Sequence, residues 1–81
     1  MERTYTVIFL READGGYSVP VPALKGCHTQ GHTLPEAVWM AEDAIRLYLE
    51  FLEAHGRAIP EDVETVALNL PVIPSRFALK P

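Results

Sequence analysis

The side chains here that could act as nucleophiles, bases or metal ligands are one cysteine, three histidines and eleven acidic residues. Their spacing argues against each use. Glu12 and Asp14 stand close together, but two-metal nuclease chemistry needs several carboxylates converging on paired Mg²⁺ ions. The stretch from Thr4 to Leu10 beside them carries none, so solvated turn residues are the better reading. Cys27, His28 and His32 suggest a metal, yet on an extended chain His28 and His32 share a face while Cys27 points away. The remaining histidine, His55, falls at the far end of a helical segment, and a closed zinc site wants four ligands. The same alternation disfavours a nucleophilic Cys27–His28 pair. Cys27 reads instead as a small buried apolar residue. The expectation is a protein without catalytic residues, metal or cofactor, one that works by binding.

Composition narrows what it could bind. The chain has 81 residues, enough for one domain, with 48% hydrophobic and 22% charged residues. A domain near this size buries only about 60–65% of its unfolded surface, so a partner or a second copy would help to cover the rest. Seven Lys and Arg against eleven Asp and Glu leave a net charge of −4, which repels phosphate backbones and suits a basic partner. Arg11, Lys25, Arg57, Arg76 and Lys80 are scattered, so direct nucleic-acid binding by this chain alone is not expected. A lone cysteine excludes an internal disulfide. There is no apolar run of membrane length and no charged-then-apolar leader, which makes a cytoplasmic location the expectation.

The elements that must carry these residues follow from periodicity. Thr4 to Leu10 alternates Tyr5, Val7 and Phe9 with Thr4, Thr6 and Ile8, a strand pattern that becomes apolar on both faces at its end. Asp14-Gly15-Gly16 supplies a tight turn into a second strand, Tyr17 to Val21. Pro20 and Pro22 have no N–H to donate, so a bulge or an early end to pairing is expected there. Ala23 to Gly26 is a turn, and Cys27 to Gly31 a third strand. Thr33-Leu34-Pro35-Glu36 fits a capping box, with Pro35 tolerated in the first helical turn. The helix should stop at Gly56. Val66, Leu68 and Leu70 alternate with Thr65, Ala67 and Asn69 as a fourth strand, followed by an apolar, proline-punctuated tail with Val72, Ile73, Phe77 and Leu79. The order β-β-β-α-β predicts an α+β fold: a mixed four-stranded sheet, strand four parallel to strand one through a right-handed crossover, with the helix on one face.

The helix carries more apolar surface than one sheet needs. Leu34, Val38, Ala41, Ile45, Tyr48, Leu49 and Leu52 form one stripe, expected to pack on the sheet. Met40, Ala44, Leu47 and Phe51 form a second. Trp39 falls outside both, among Glu36, Glu42, Asp43, Arg46 and Glu50. Either the tail folds back over the second stripe, or the stripe meets another protein. The candidate interface residues are Trp39, Met40, Asp43, Leu47, Glu50, Phe51, Ile73 and Phe77. The surplus of apolar surface predicts a homo-oligomer, most simply a two-fold dimer.

The ordered set Gly15-Gly16-Tyr17-Ser18-Val19, Pro22-Ala23-Leu24-Lys25-Gly26-Cys27, Thr29-Gln30-Gly31 and Thr33-Leu34-Pro35-Glu36-Ala37 resembles the HicB antitoxin domain. Tyr48-Leu49, Gly56 and Ile59-Pro60 extend the likeness. The loop departs from the usual pattern at Ala23, Lys25 and His32, where Asp, Pro and an acidic residue are common. The resemblance implies a partial ribonuclease-H-like fold and a protein that neutralises a small basic, mRNA-cleaving HicA toxin by covering its active site. Its residues Gly15, Gly16, Tyr17, Pro22, Gly26, Cys27, Gly31, Thr33, Glu36 and Ala37 would then be structural. On this reading residues 1–70 form the HicB-like domain, and 71–81 a tail packed back or at an oligomer interface. The C-terminal DNA-binding segment common in the family has no helix signal here. The alternative, from a different class, is a small ligand-binding or regulatory domain on the same scaffold without a toxin.

Overall fold

The computed structural model describes residues 2–74; Phe77, Leu79 and the rest of 75–81 lie outside the described residues. Three strands precede one helix: β1 (Leu10–Arg11), β2 (Tyr17–Pro20), β3 (His28–Gly31) and α1 (Leu34–Ala54). The sheet is an antiparallel meander in the order β1-β2-β3. The α+β class and the helix on one sheet face agree with the periodicity. The mixed four-stranded sheet does not form within the described chain.

The first hairpin turns through Ala13, Asp14 and Gly15. Glu12 and Gly16 close it, with the Glu12 N–H donating to the Gly16 carbonyl at 2.7 Å. Gly15 has φ +97°, a value that side-chain-bearing residues rarely adopt, and Asp14 Oδ1 accepts from the Gly16 N–H. Regular pairing of β1 is shorter than the Thr4–Leu10 pattern predicts, and Pro20 explains why. The register that sets Leu10 opposite Ser18 sets Ile8 opposite Pro20. Ile8 donates to the Pro20 carbonyl at 3.1 Å, but Pro20 has no N–H to return, so that pair holds one of its two bonds. The chain continues back from Leu10 in register without a full ladder.

The antiparallel register places Val7, Phe9, Tyr17, Val19, Val21, Cys27 and Gly31 on one face, and the helix lies against it. Val19, Ala37 and Ala41 form one buried cluster, with Val7, Phe9 and Tyr17 packed around it. Val21, Leu24 and Cys27 form a second, beneath Tyr5, Ala44, Ile45, Tyr48 and Leu49. The line of contact on the helix differs from the predicted stripe. Ala41, Ile45, Tyr48, Leu49 and Leu52 do turn inward, but Leu34 and Val38 are exposed and Ala37 takes the central place. The cause is the approach of β3. A Cβ on Gly31 would lie 2.7 Å from the Ala37 backbone, so helix and strand meet where both residues are smallest. That contact rotates the helix toward Ala37 and Ala44.

Thr33 caps the helix, its hydroxyl accepting from the Glu36 N–H at 3.2 Å, while Glu36 Oε1 accepts from the His32 N–H at 2.7 Å. The reciprocal bonds satisfy donors that a helix start leaves free. At the other end His55 caps α1. The chain then returns toward the start of the molecule. The Tyr5 hydroxyl donates to the Pro60 carbonyl at 2.5 Å, and Asp62 accepts from the Thr6 N–H at 3.0 Å and the Thr6 hydroxyl at 2.8 Å. Residues 63–74 run on exposed, without strand pairing. Alternation alone does not make a strand: 65–70 has the pattern, but no strand partner among the described residues.

Two outcomes follow from this packing. Gly31→Ala forces a methyl into the helix backbone, and overpacking of this kind costs about 1–3 kcal/mol. Urea unfolding should show the midpoint falling accordingly; an unchanged midpoint contradicts the close contact. The second concerns Asp62. Bonds from the Thr6 N–H, then its hydroxyl, hold the carboxyl below its usual range. A depressed carboxylate pKa stabilises above the unfolded value and loses that effect as pH falls through the folded one. The Thr6 amide resonance should therefore titrate with a midpoint below the ordinary aspartate value of about 3.9. A midpoint at or above it contradicts the tether.

Candidate functional site

Cys27 and His28 face opposite sides of the sheet and His55 lies at the far end of the helix, while Glu12, Asp14, His32 and Glu36 line one cleft beside the first hairpin. Cys27 is buried, and burial pushes its thiol up in pKa, away from the thiolate that nucleophiles and metal ligands need. Asp14 and Glu36 bind backbone N–H groups in a turn and a cap. His28 is exposed on the sheet face opposite the helix, and the His55 ring accepts or donates at the Phe51 carbonyl, 2.8 Å away. Among the described residues no three His, Cys, Asp or Glu side chains are grouped as metal ligands would be.

What the fold does assemble is surface suited to protein contact. Helical spacing puts Trp39, Asp43, Arg46 and Glu50 on the side opposite Ala37 and Ala41. Trp39 is 61% exposed. Arg46 bridges Asp43, one turn back, and Glu50, one turn on at 3.5 Å. These exposed pairs add little stability, but they hold three charged side chains in a row beside the indole. Leu47 and Phe51 are both 52% exposed on the adjoining flank, where Met40 is half-buried. The Phe51 ring lies 4.0 Å from the His55 ring and 6.0 Å from the Arg57 guanidinium. The result is an aromatic and aliphatic strip edged by carboxylates and two cationic or ionisable groups.

The predicted interface residues are thus divided. Trp39, Asp43, Leu47, Glu50 and Phe51 share one side of α1, with Met40 at its margin. Ile73 is exposed on the distant tail, and Phe77 is outside the described residues. The described part of the tail leaves the second stripe uncovered. Two further surfaces were only partly legible. The sheet face away from the helix carries Ile8 and Leu10, both exposed, with Pro20, His28 and Gln30, while Tyr5, Val7 and Phe9 pack toward the helix. A groove between the outer side of β1 and α1 is lined by Tyr5, Val7, Phe9, Val38, Ala41 and Ile45. Nothing in local periodicity signals it, because it exists where no fourth strand forms among the described residues. The motif residues Gly15, Gly31, Thr33, Glu36 and Ala37 lie in the turn, the helix contact and the cap, and Pro22 and Gly26 bound the loop between β2 and β3.

No helix among the described residues is long and apolar enough to cross a membrane. Comparison with known proteins gives the family. Residues 5–70 match the model of the HicB-like antitoxin of bacterial toxin–antitoxin systems. A UPF0150 protein of Thermoplasma acidophilum is 52% identical over 58 residues, which cover 72% of this chain and 84% of that protein. A UPF0150 protein of Synechocystis is 47% identical over 58 residues, covering 72% of this chain and 73% of the relative. A third, from Helicobacter pylori, is 44% identical over 45 residues, 56% of this chain and 62% of its own length. With the matched region spanning both hairpins, the capped helix and the segment beyond it, the chain belongs to the HicB-like antitoxin family.

Proposed function

We propose that the protein is an antitoxin that neutralises a small basic HicA-type, mRNA-cleaving toxin by binding over its active site, and that it acts by contact, without catalysis. The observation that carries this reading is the outward side of α1 in a chain of this family. Trp39 stands exposed within a row of Asp43, Arg46 and Glu50, beside Leu47 and Phe51. Aromatic residues ringed by polar ones are the common anatomy of protein interfaces. The net charge of −4 favours encounter with a basic protein, where it speeds association more than it deepens affinity. The setting is the cytoplasm, where the toxin's mRNA substrate is found. The partial ribonuclease-H-like arrangement belongs to the same reading and requires a fourth strand beside β1.

Co-expression with a short basic protein encoded beside this gene tests the proposal. The two should co-purify, and growth arrest by the basic protein should be relieved. Trp39→Glu should weaken the complex at least about 30-fold, the scale of losing a central aromatic contact, with an unchanged circular dichroism spectrum. Failure to form a complex or to restore growth contradicts the function. A fully active Trp39→Glu variant contradicts the assignment of the surface.

A further inference from the structure

The first strand has an outer edge without a partner. In the register of β1 and β2, Ile8, Leu10 and Glu12 point their backbone groups inward, so Val7 and Phe9 point theirs outward. Those N–H and C=O groups meet no backbone partner among the described residues. An open strand edge is a template for a further strand. Beside it lies a groove whose apolar lining is Tyr5, Val7, Phe9, Val38, Ala41 and Ile45, with Glu2, Arg3, Thr4 and Glu42 also lining it. A strand added to this edge would place every second side chain in the groove.

The same chain carries a segment of the matching pattern in the matching state. Val66, Leu68 and Leu70 alternate with Thr65, Ala67 and Asn69, as on one face of a strand, and are 83%, 72% and 72% exposed. The segment does not occupy its own groove. The Thr6–Asp62 bonds fix the chain just before it, and beyond that point it projects as an arm. The radius of gyration, 16.8 Å, shows the reach: a compact chain of this length has about 12 Å.

We infer that two copies exchange these arms: residues 65–70 of each chain add as a strand to the β1 edge of the other, with Val66, Leu68 and Leu70 filling its groove. A second copy fits better than any other occupant, because each chain offers both halves of the contact. Two such contacts close about a two-fold axis and leave neither the β1 edge open nor the arm exposed. Each sheet then gains the fourth strand parallel to its first that the β-β-β-α-β order calls for. Residues 63 and 64, between the Asp62 tether and the arm, form the hinge. The inference does not rest on the toxin reading, and its test contains no toxin.

Sedimentation equilibrium of the full chain should give twice the 9.0 kDa mass of one copy. Leu68→Asp should return it to one copy, with helix content retained. A wild-type monomer overturns the inference, whether its arm is folded back or reserved for another protein. A folded Leu68→Asp dimer also overturns it, moving the contact to the helix strip or the open sheet face. If Leu68→Asp fails to fold, a mixed dimer of isotope-labelled and unlabelled wild-type chains decides. Filtered nuclear Overhauser effects should connect Leu68 methyls of one copy with the Phe9 ring of the other. Their absence, or their presence only within one copy, overturns the exchange.

Discussion

The approach of Gly31 to Ala37 sets the rest of the structure. With a Cβ of Gly31 falling 2.7 Å from helix backbone, strand and helix meet at a distance that no side chain on the strand would permit. From that point the register of β3 with β2 brings Val19 under Ala37 and Ala41, and the second cluster closes over Val21, Leu24 and Cys27. The Thr33 cap, two residues past the glycine, fixes where the helix begins. Strand, cap and first helical turn thus act as one corner. The buried line of α1 and the residues left outside are both consequences of it.

A helix held this close covers one sheet face and shows its opposite side to solvent. The rotation that buries Ala37 turns Leu34 and Val38 outward and sets Trp39 directly opposite the sheet, while Leu47 and Phe51 stay exposed on the flank. The sheet's other face keeps Ile8 and Leu10 exposed, and the β1 edge keeps its backbone groups free among the described residues. Soluble proteins seldom leave this much apolar surface without a use. In a chain with little room for a core, that surplus is the surface on which both proposals rest: a second copy at the strand edge and a basic protein at the helix.

Much of this was legible locally. The capping box, the positive-φ glycine in the first turn, the helix length and the early end to pairing at Pro20 follow from residue types within a few positions of one another. The buried line of the helix was not. Leu34 and Val38 look better suited to a core than Ala37, and only the missing Cβ of Gly31 makes Ala37 the closer neighbour. The Tyr5–Pro60 and Thr6–Asp62 bonds join residues more than fifty positions apart and leave no periodic trace. The alternation of 65–70 was visible, but alternation cannot say which copy's sheet a strand will join. For the candidate site, Trp39 among charges and the second stripe were readable from helical spacing. That the described part of the tail leaves them uncovered is a tertiary outcome.

The central claim is that apolar surface left uncovered by one helix on one sheet is what this antitoxin-family protein uses to bind its toxin. Titration calorimetry of the purified chain with the basic protein encoded beside it, repeated at several temperatures, tests this most directly. Burial of apolar surface gives a negative heat-capacity change on binding. The account predicts a clearly negative value with only moderate dependence on salt. A value near zero with steep salt dependence, or no heat of binding at all, would contradict it.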